Sequence, residues 1–117
     1  MYRIAKRFEF SASHQLTHLP DGHQCARLHG HNYVVEVELQ ADALNADAFV
    51  LDYGEMRPFK EFIDAQLDHR HLNDFMIKPT AELLASWLYE KARAMFGATV
   101  AAVRVMETPK TVAEYRR

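Results

Sequence analysis

Cysteine is nearly absent from this chain of 117 residues: Cys25 is the only one. That excludes an internal disulfide and any cysteine-rich structural zinc site, and leaves one thiol that is either a small buried hydrophobe or a reactive group. No apolar run approaches the ~20 residues needed to cross a bilayer, so no membrane span is expected. The N-terminal stretch Met1-Tyr2-Arg3-Ile4-Ala5-Lys6-Arg7 lacks the apolar segment of a secretory signal, which points to the cytoplasm. Excess charge of one sign is missing too. Fourteen Lys and Arg against sixteen Asp and Glu give a net charge of −2, without the basic footprint of a nucleic-acid binder. There is no Gly-rich dinucleotide fingerprint, and the 49% hydrophobic and 26% charged residues exclude disorder and low-complexity function.

A single domain over residues 1–117 is expected from this length. A chain this small buries only about two-thirds of its unfolded surface, so oligomerisation adds a great deal. What the sequence has in abundance is histidine, seven in all, five of them between His14 and His31.

Alternation of Tyr2, Ile4, Phe8 and Phe10 with polar residues predicts a first strand over 2–10. The stretch 16–28 has no period and contains the turn signal Pro20-Asp21-Gly22, so it is expected to be a loop. From His31 to Gln40 the alternation is clean, with Tyr33, Val35, Val37 and Leu39 on one face of a second strand. Asp52 and Glu55 resemble a capping box ahead of Met56, Phe59, Phe62, Ile63 and Leu67 at helical spacing, with Pro58 tolerated in the first turn. Pro79-Thr80 announces a second helix with Leu84, Trp87, Leu88, Ala92 and Met95 on one stripe, stopped by Gly97. A last strand is expected over 99–108, followed by a short strand or hairpin arm over 112–115. Strands segregated around two helices predict an α+β fold, with the helices covering one face of an antiparallel sheet.

His29-Gly30-His31 opens the second strand. Residues i and i+2 of a strand share a face, so these two imidazoles converge, and His14, just past the first strand, can complete a triangle if the two strands pair. Three imidazoles with an open fourth position are the arrangement of a catalytic zinc. His18 and His23 carry no such pattern, and His71 only a weak one. Cys25, four residues before His29, is either a fourth ligand or a thiol held beside the metal as base or nucleophile. Asp68-His69 supplies a carboxylate and an imidazole for proton transfer, although neighbours in sequence do not usually touch, and a plain loop role for Asp68 stands beside the catalytic one. Glu107 falls on the same face of the last strand as Ala101, Val103 and Val105; it either turns to water or needs a partner such as the N–H edge of a guanine-like or pterin ring.

Phe10-Ser11-Ala12-Ser13-His14, Cys25-Ala26-Arg27-Leu28-His29-Gly30-His31-Asn32-Tyr33, Leu67-Asp68-His69, Pro79-Thr80-Ala81-Glu82 and Glu107-Thr108 together resemble the 6-pyruvoyl-tetrahydropterin synthase family, in its order and over nearly the whole chain. The three residues between Cys25 and the His-Gly-His resemble its bacterial branch that forms 6-carboxy-5,6,7,8-tetrahydropterin for queuosine synthesis. The resemblance implies a tunnelling fold: a four-stranded antiparallel sheet with two helices on one face, closing as a trimer into a barrel and stacking as a dimer of trimers. It implies zinc on His14, His29 and His31, Cys25 as general base, Asp68 and His69 as relay, Glu107 as pterin anchor and relay member, and Thr80 as a ring contact. The Asp-His pair would come from a neighbouring subunit. The implied substrate is 7,8-dihydroneopterin triphosphate, with 6-carboxytetrahydropterin, triphosphate and acetaldehyde as products. The rival activities are the pyruvoyl-forming or side-chain-cleaving reactions of the same fold. A rival of another class is a non-enzymatic zinc-dependent assembly module, in which Cys25 and the three histidines close a structural site.

Overall fold

A computed structural model describes residues 1–117. The strands are β1 (Tyr2–His14), β2 (His29–Ala41), β3 (Arg70–His71), β4 (Val100–Met106) and β5 (Ala113–Arg116); the helices are α1 (Arg57–Gln66) and α2 (Ala81–Phe96). They form one sheet in the order β3-β1-β2-β4-β5. The antiparallel strands β1, β2, β4 and β5 are the expected four. The fifth, β3, runs parallel to β1 through only two residue pairs, Ala12 with Arg70 and Ser13 with His71. At two residues it is too short to leave any periodic signal, which is why the sequence shows only a loop there.

β1 and β2 pair in unbroken register from Tyr2 opposite Ala41 to His14 opposite His29. Both begin or end beyond their apolar alternation: β1 continues through Ser11-Ala12-Ser13-His14, and β2 starts at His29. One face of this ribbon carries Phe8, Phe10, Ala12, Tyr33, Val35, Val37 and Leu39, and α1 and α2 cover it with Phe59, Ile63, Leu84 and Leu88. Burying each such side chain contributes about 1.5–3 kcal/mol. The Asp52 carboxylate caps a short turn of 3-10 helix at Tyr53–Met56, and α1 begins only after it, with Pro58 in its first turn. Thr80 caps α2 by accepting from the Leu83 N–H, and Gly97 ends it with φ +71°.

β4 departs from strict alternation. Glu38 lies opposite Ala102 but Leu39 opposite Val100, so the register slips by one residue. Val100, Val103 and Val105 therefore join the main core, and Ala101, expected to share their face, does not.

The opposite face of the sheet is polar and holds one unexpected buried charge. Glu38 is 1% exposed. Its carboxylate accepts from Arg104 at 2.5 Å and from both terminal nitrogens of Arg116 at 3.2 Å. Alternation marks position 38 for solvent; guanidinium groups from β4 and β5 close over it instead.

Candidate metal centre and active site

At the end of the β1–β2 ribbon the core-facing positions turn from apolar to imidazole. His14 on β1 lies opposite His29 on β2, and His31 lies opposite Ala12. One ring nitrogen from each of His14, His29 and His31 falls within 4.8 Å of the others, a triangle that can hold a metal ion. Gly30 between two of them lets the strands approach: a Cβ there would lie 3.2 Å from the Ala12 carbonyl oxygen and press the ribbon apart beside the cluster.

The second nitrogens of two rings are already engaged. His14 Nδ1 donates to the Pro79 carbonyl at 2.8 Å, and His29 Nδ1 donates to the Arg27 carbonyl at 2.7 Å. With both Nδ1 atoms protonated, the Nε2 lone pairs of His14 and His29 face each other at 2.8 Å with no proton between them. That repulsive juxtaposition is relieved by a cation, and backbone carbonyls on the outer nitrogens are the usual support of metal-bound imidazoles. Burial holds His14 below the ordinary imidazole value, only partly offset by the Pro79 carbonyl and Glu107. Burial also lowers His31, against the pull of Glu107. Both rings are thus disposed to be neutral ligands.

A cavity of about 330 Å³ opens on the cluster, and Cys25 and Glu107 share its walls with the three histidines. The loop carrying Cys25 is pinned by Leu16 N–H donating to the Cys25 carbonyl at 3.0 Å and by Cys25 N–H donating to His23 Nδ1 at 3.0 Å. Glu107 turns inward to the same cluster: its Oε2 lies 3.6 Å from Nε2 of both His14 and His31, which adds a negative charge to the lone pairs that a cation would neutralise. Tyr33, two residues along the same face from His31, brings its hydroxyl to 3.3 Å from His14 Nδ1, and burial, then the negative charge of Glu107, drives its phenol far above its ordinary value. Tyr33 is a site residue that alternation assigned only to the core. Its signal is its i+2 relation to the second imidazole.

Asp68 and His69 do not line this cavity. They sit across β1, where Asp68 Oδ1 accepts from Ser11 N–H at 2.9 Å and His69 N–H donates to the Ser11 carbonyl at 2.6 Å. Contrary to the expectation for sequence neighbours, they touch: His69 Nδ1 is 3.0 Å from Asp68 Oδ2. The reason is backbone geometry. His69 has φ +60°, a left-handed conformation costing about 1 kcal/mol for a non-glycine residue, held by the two bonds to Ser11. The Ser11 N–H, then His69, keep the Asp68 carboxyl below its usual range, and the His69 ring is 82% exposed and free to meet another molecule. Thr80 is likewise outside the cavity walls, its hydroxyl engaged in capping α2.

The sequence profile of the 6-pyruvoyl tetrahydropterin synthase family matches residues 3–117. The chain belongs to this family. It is 33% identical to the 6-carboxy-5,6,7,8-tetrahydropterin synthase of Synechocystis, over 98% of this chain and 93% of that protein. Likeness to the dihydroneopterin monophosphate aldolase of Pyrococcus furiosus is 31%, over 78% of this chain and 75% of the aldolase. Among solved structures, the 6-pyruvoyl tetrahydropterin synthase of Caenorhabditis elegans superposes with a TM-score of 0.87 at 25% identity, covering 99% of this chain and 95% of the other. The α+β architecture is therefore the tunnelling fold of that family.

Proposed function

We propose that this chain, with a zinc ion on His14, His29 and His31, converts 7,8-dihydroneopterin triphosphate and water to 6-carboxy-5,6,7,8-tetrahydropterin, triphosphate and acetaldehyde. The observation that carries the reading is the convergence of three imidazoles on a cavity that also holds a thiol and a carboxylate, in a chain similar over almost its full length to a 6-carboxytetrahydropterin synthase. A metal at the triangle supplies Lewis acidity toward the substrate's side-chain hydroxyls. Cys25 Sγ, as thiolate, takes a proton from the side chain. Asp68 Oδ2 accepts from His69 Nδ1–H at 3.0 Å and leaves Nε2 as the ring's basic nitrogen, so His69 takes up a proton there and, as the imidazolium beside that carboxylate, returns it to the substrate. Glu107 accepts from the N–H edge of the pterin, for which a carboxylate has enough lone pairs even with one oxygen turned to the histidines.

The complete site is shared between subunits, with Asp68 and His69 serving the cavity of a neighbour. Two features support this: the pair lies outside its own cavity, and the sheet has open edges. β1 has no neighbouring strand on its outer side from Tyr2 to Phe10, and β5 has no outer neighbour, so copies can join edge to edge into a barrel, as a trimer or a dimer of trimers. The domain acts as one unit of 117 residues in the cytoplasm, on a route to queuosine.

Incubating the zinc-loaded protein with 7,8-dihydroneopterin triphosphate and identifying the pterin by mass spectrometry tests the reading. The expected products are 6-carboxytetrahydropterin and acetaldehyde. A 6-pyruvoyl product, or simple side-chain cleavage of the kind the Pyrococcus likeness favours, moves the chain to another activity of the same fold. Untouched substrate overturns the enzymatic reading in favour of a zinc-dependent assembly module.

A further inference from the structure

β3 pairs with β1 only as far as His71 opposite Ser13, so the backbone ladder stops one residue short of His14. Two residues further along the chain, the side chain of Asn73 resumes it. Its Oδ1 accepts from Gln15 N–H at 2.8 Å and its Nδ2 donates to the Gln15 carbonyl at 2.7 Å. A primary amide making both bonds to Gln15 supplies the acceptor and the donor that two successive peptide groups of a longer parallel β3 would have given it. Gln15 joins two parts of the cavity wall: it follows His14 directly, and the next residue, Leu16, donates its N–H to the Cys25 carbonyl at 3.0 Å. The same short segment begins with the Asp68 and His69 bonds to Ser11. His14 is therefore held from β2 on one side, and on the other by a splint whose last contact is an amide side chain.

We infer that Asn73 is a positioning residue for the metal centre: by clamping Gln15 it fixes the His14 ring toward His29 and His31 and sets where the Cys25 loop departs. The inference rests on the proposed metal site and assigns to it a residue that makes no contact with the histidines. Without the clamp, β1 frays at His14 and the three nitrogens spend less time in register, so metal affinity falls while the core, built from other residues, stays folded. Supporting groups behind metal ligands typically change affinity about 10–100-fold, and a clamp acting through the next residue belongs at the lower end.

Cobalt(II) is the probe, because its visible absorption bands report ligand number and geometry. Asn73→Ala is expected to bind Co²⁺ about tenfold more weakly than the unaltered protein, with altered band intensities. Asn73→Asp keeps the acceptor for Gln15 N–H but sets a carboxylate oxygen where Nδ2 donates to the Gln15 carbonyl, so its affinity falls at least as far as that of N73A; it carries the test should N73A fail to fold. Ile63→Val in α1, which lowers thermal stability at a site remote from β1's end, leaves affinity and spectrum unchanged. If N73A binds Co²⁺ as the unaltered protein does, or if I63V shifts the spectrum equally, Asn73 is merely structural and the inference is wrong. If the unaltered protein and a His14→Ala variant fail equally to bind Co²⁺, the metal-centre reading itself falls, and the inference with it.

Discussion

Replacing Glu38 by Gln probes the buried charge that the polar sheet face conceals. The carboxylate meets Arg104 at 2.5 Å, Arg116 at 3.2 Å and Arg3 at 3.5 Å. Removing one member of a fully buried ion pair costs about 3–5 kcal/mol, because the other charge is left without compensation. Here that figure is reduced. The Arg3 and Arg116 side chains are 65% and 40% exposed, so water screens them, and Arg104 keeps Glu36 and Glu114, each at 2.9 Å. A loss of about 2 kcal/mol follows, which for a domain of this size lowers Tm by roughly 8 °C. The loss depends on pH. Burial pushes the Glu38 carboxyl up, but Arg104 and Arg116 outweigh it and hold it below the ordinary value. A carboxyl depressed in the folded state contributes stability that is complete above its unfolded value, about 4.3, and disappears as pH falls through the folded one. Thermal unfolding of both proteins between pH 7 and pH 3 measures it: the gap in Tm is full at pH 7 and narrows below about pH 4. A gap under about 2 °C at pH 7, or one that does not change with acid, would refute the argument.

Cys25→Ala should keep its metal and its fold, since three imidazoles remain, while turnover drops by about 10²–10⁴-fold; loss of metal and fold together would instead make Cys25 a structural ligand. Stripping the metal with a chelator should lower Tm by a margin that returns on adding zinc, and the margin should vanish in His29→Ala, measured by calorimetry with and without metal. Asp68→Asn keeps an acceptor for Ser11 N–H but removes the charge beside His69, so kcat should fall while Tm stays nearly unchanged; an unchanged kcat would remove Asp68 from the relay.

Much of the fold was legible because burial leaves a period. Tyr33, Val35, Val37 and Leu39 alternate and are all buried, and the second helix starts at the Thr80 cap and stops at Gly97 as its end signals require. Where burial is not apolar the pattern fails. Ser11-Ala12-Ser13-His14 is strand, held by pairing with β2 and β3 rather than by hydrophobicity. Glu38 is interior although its position in the alternation says surface.

The histidine triangle needed only the i, i+2 rule and one strand pairing, both local enough to follow from sequence. Contacts across large separations were not: Asn73 meets Gln15, and Asp68 meets Ser11, at distances of 58 and 57 residues along the chain. By itself, then, the amino-acid sequence determined the α+β class, the two helices and their ends, and the His29-Gly30-His31 pair with a thiol four residues before it, since each follows from a short-range period or spacing. Only the tertiary structure decided which backbone carbonyls leave the imidazole lone pairs free, that Glu107 turns toward His14 and His31, that a left-handed His69 brings two adjacent side chains into contact, and that the Asp68-His69 pair lies outside the cavity holding Cys25 and Glu107. Those are matters of direction, and direction is set by the strands a segment lies against.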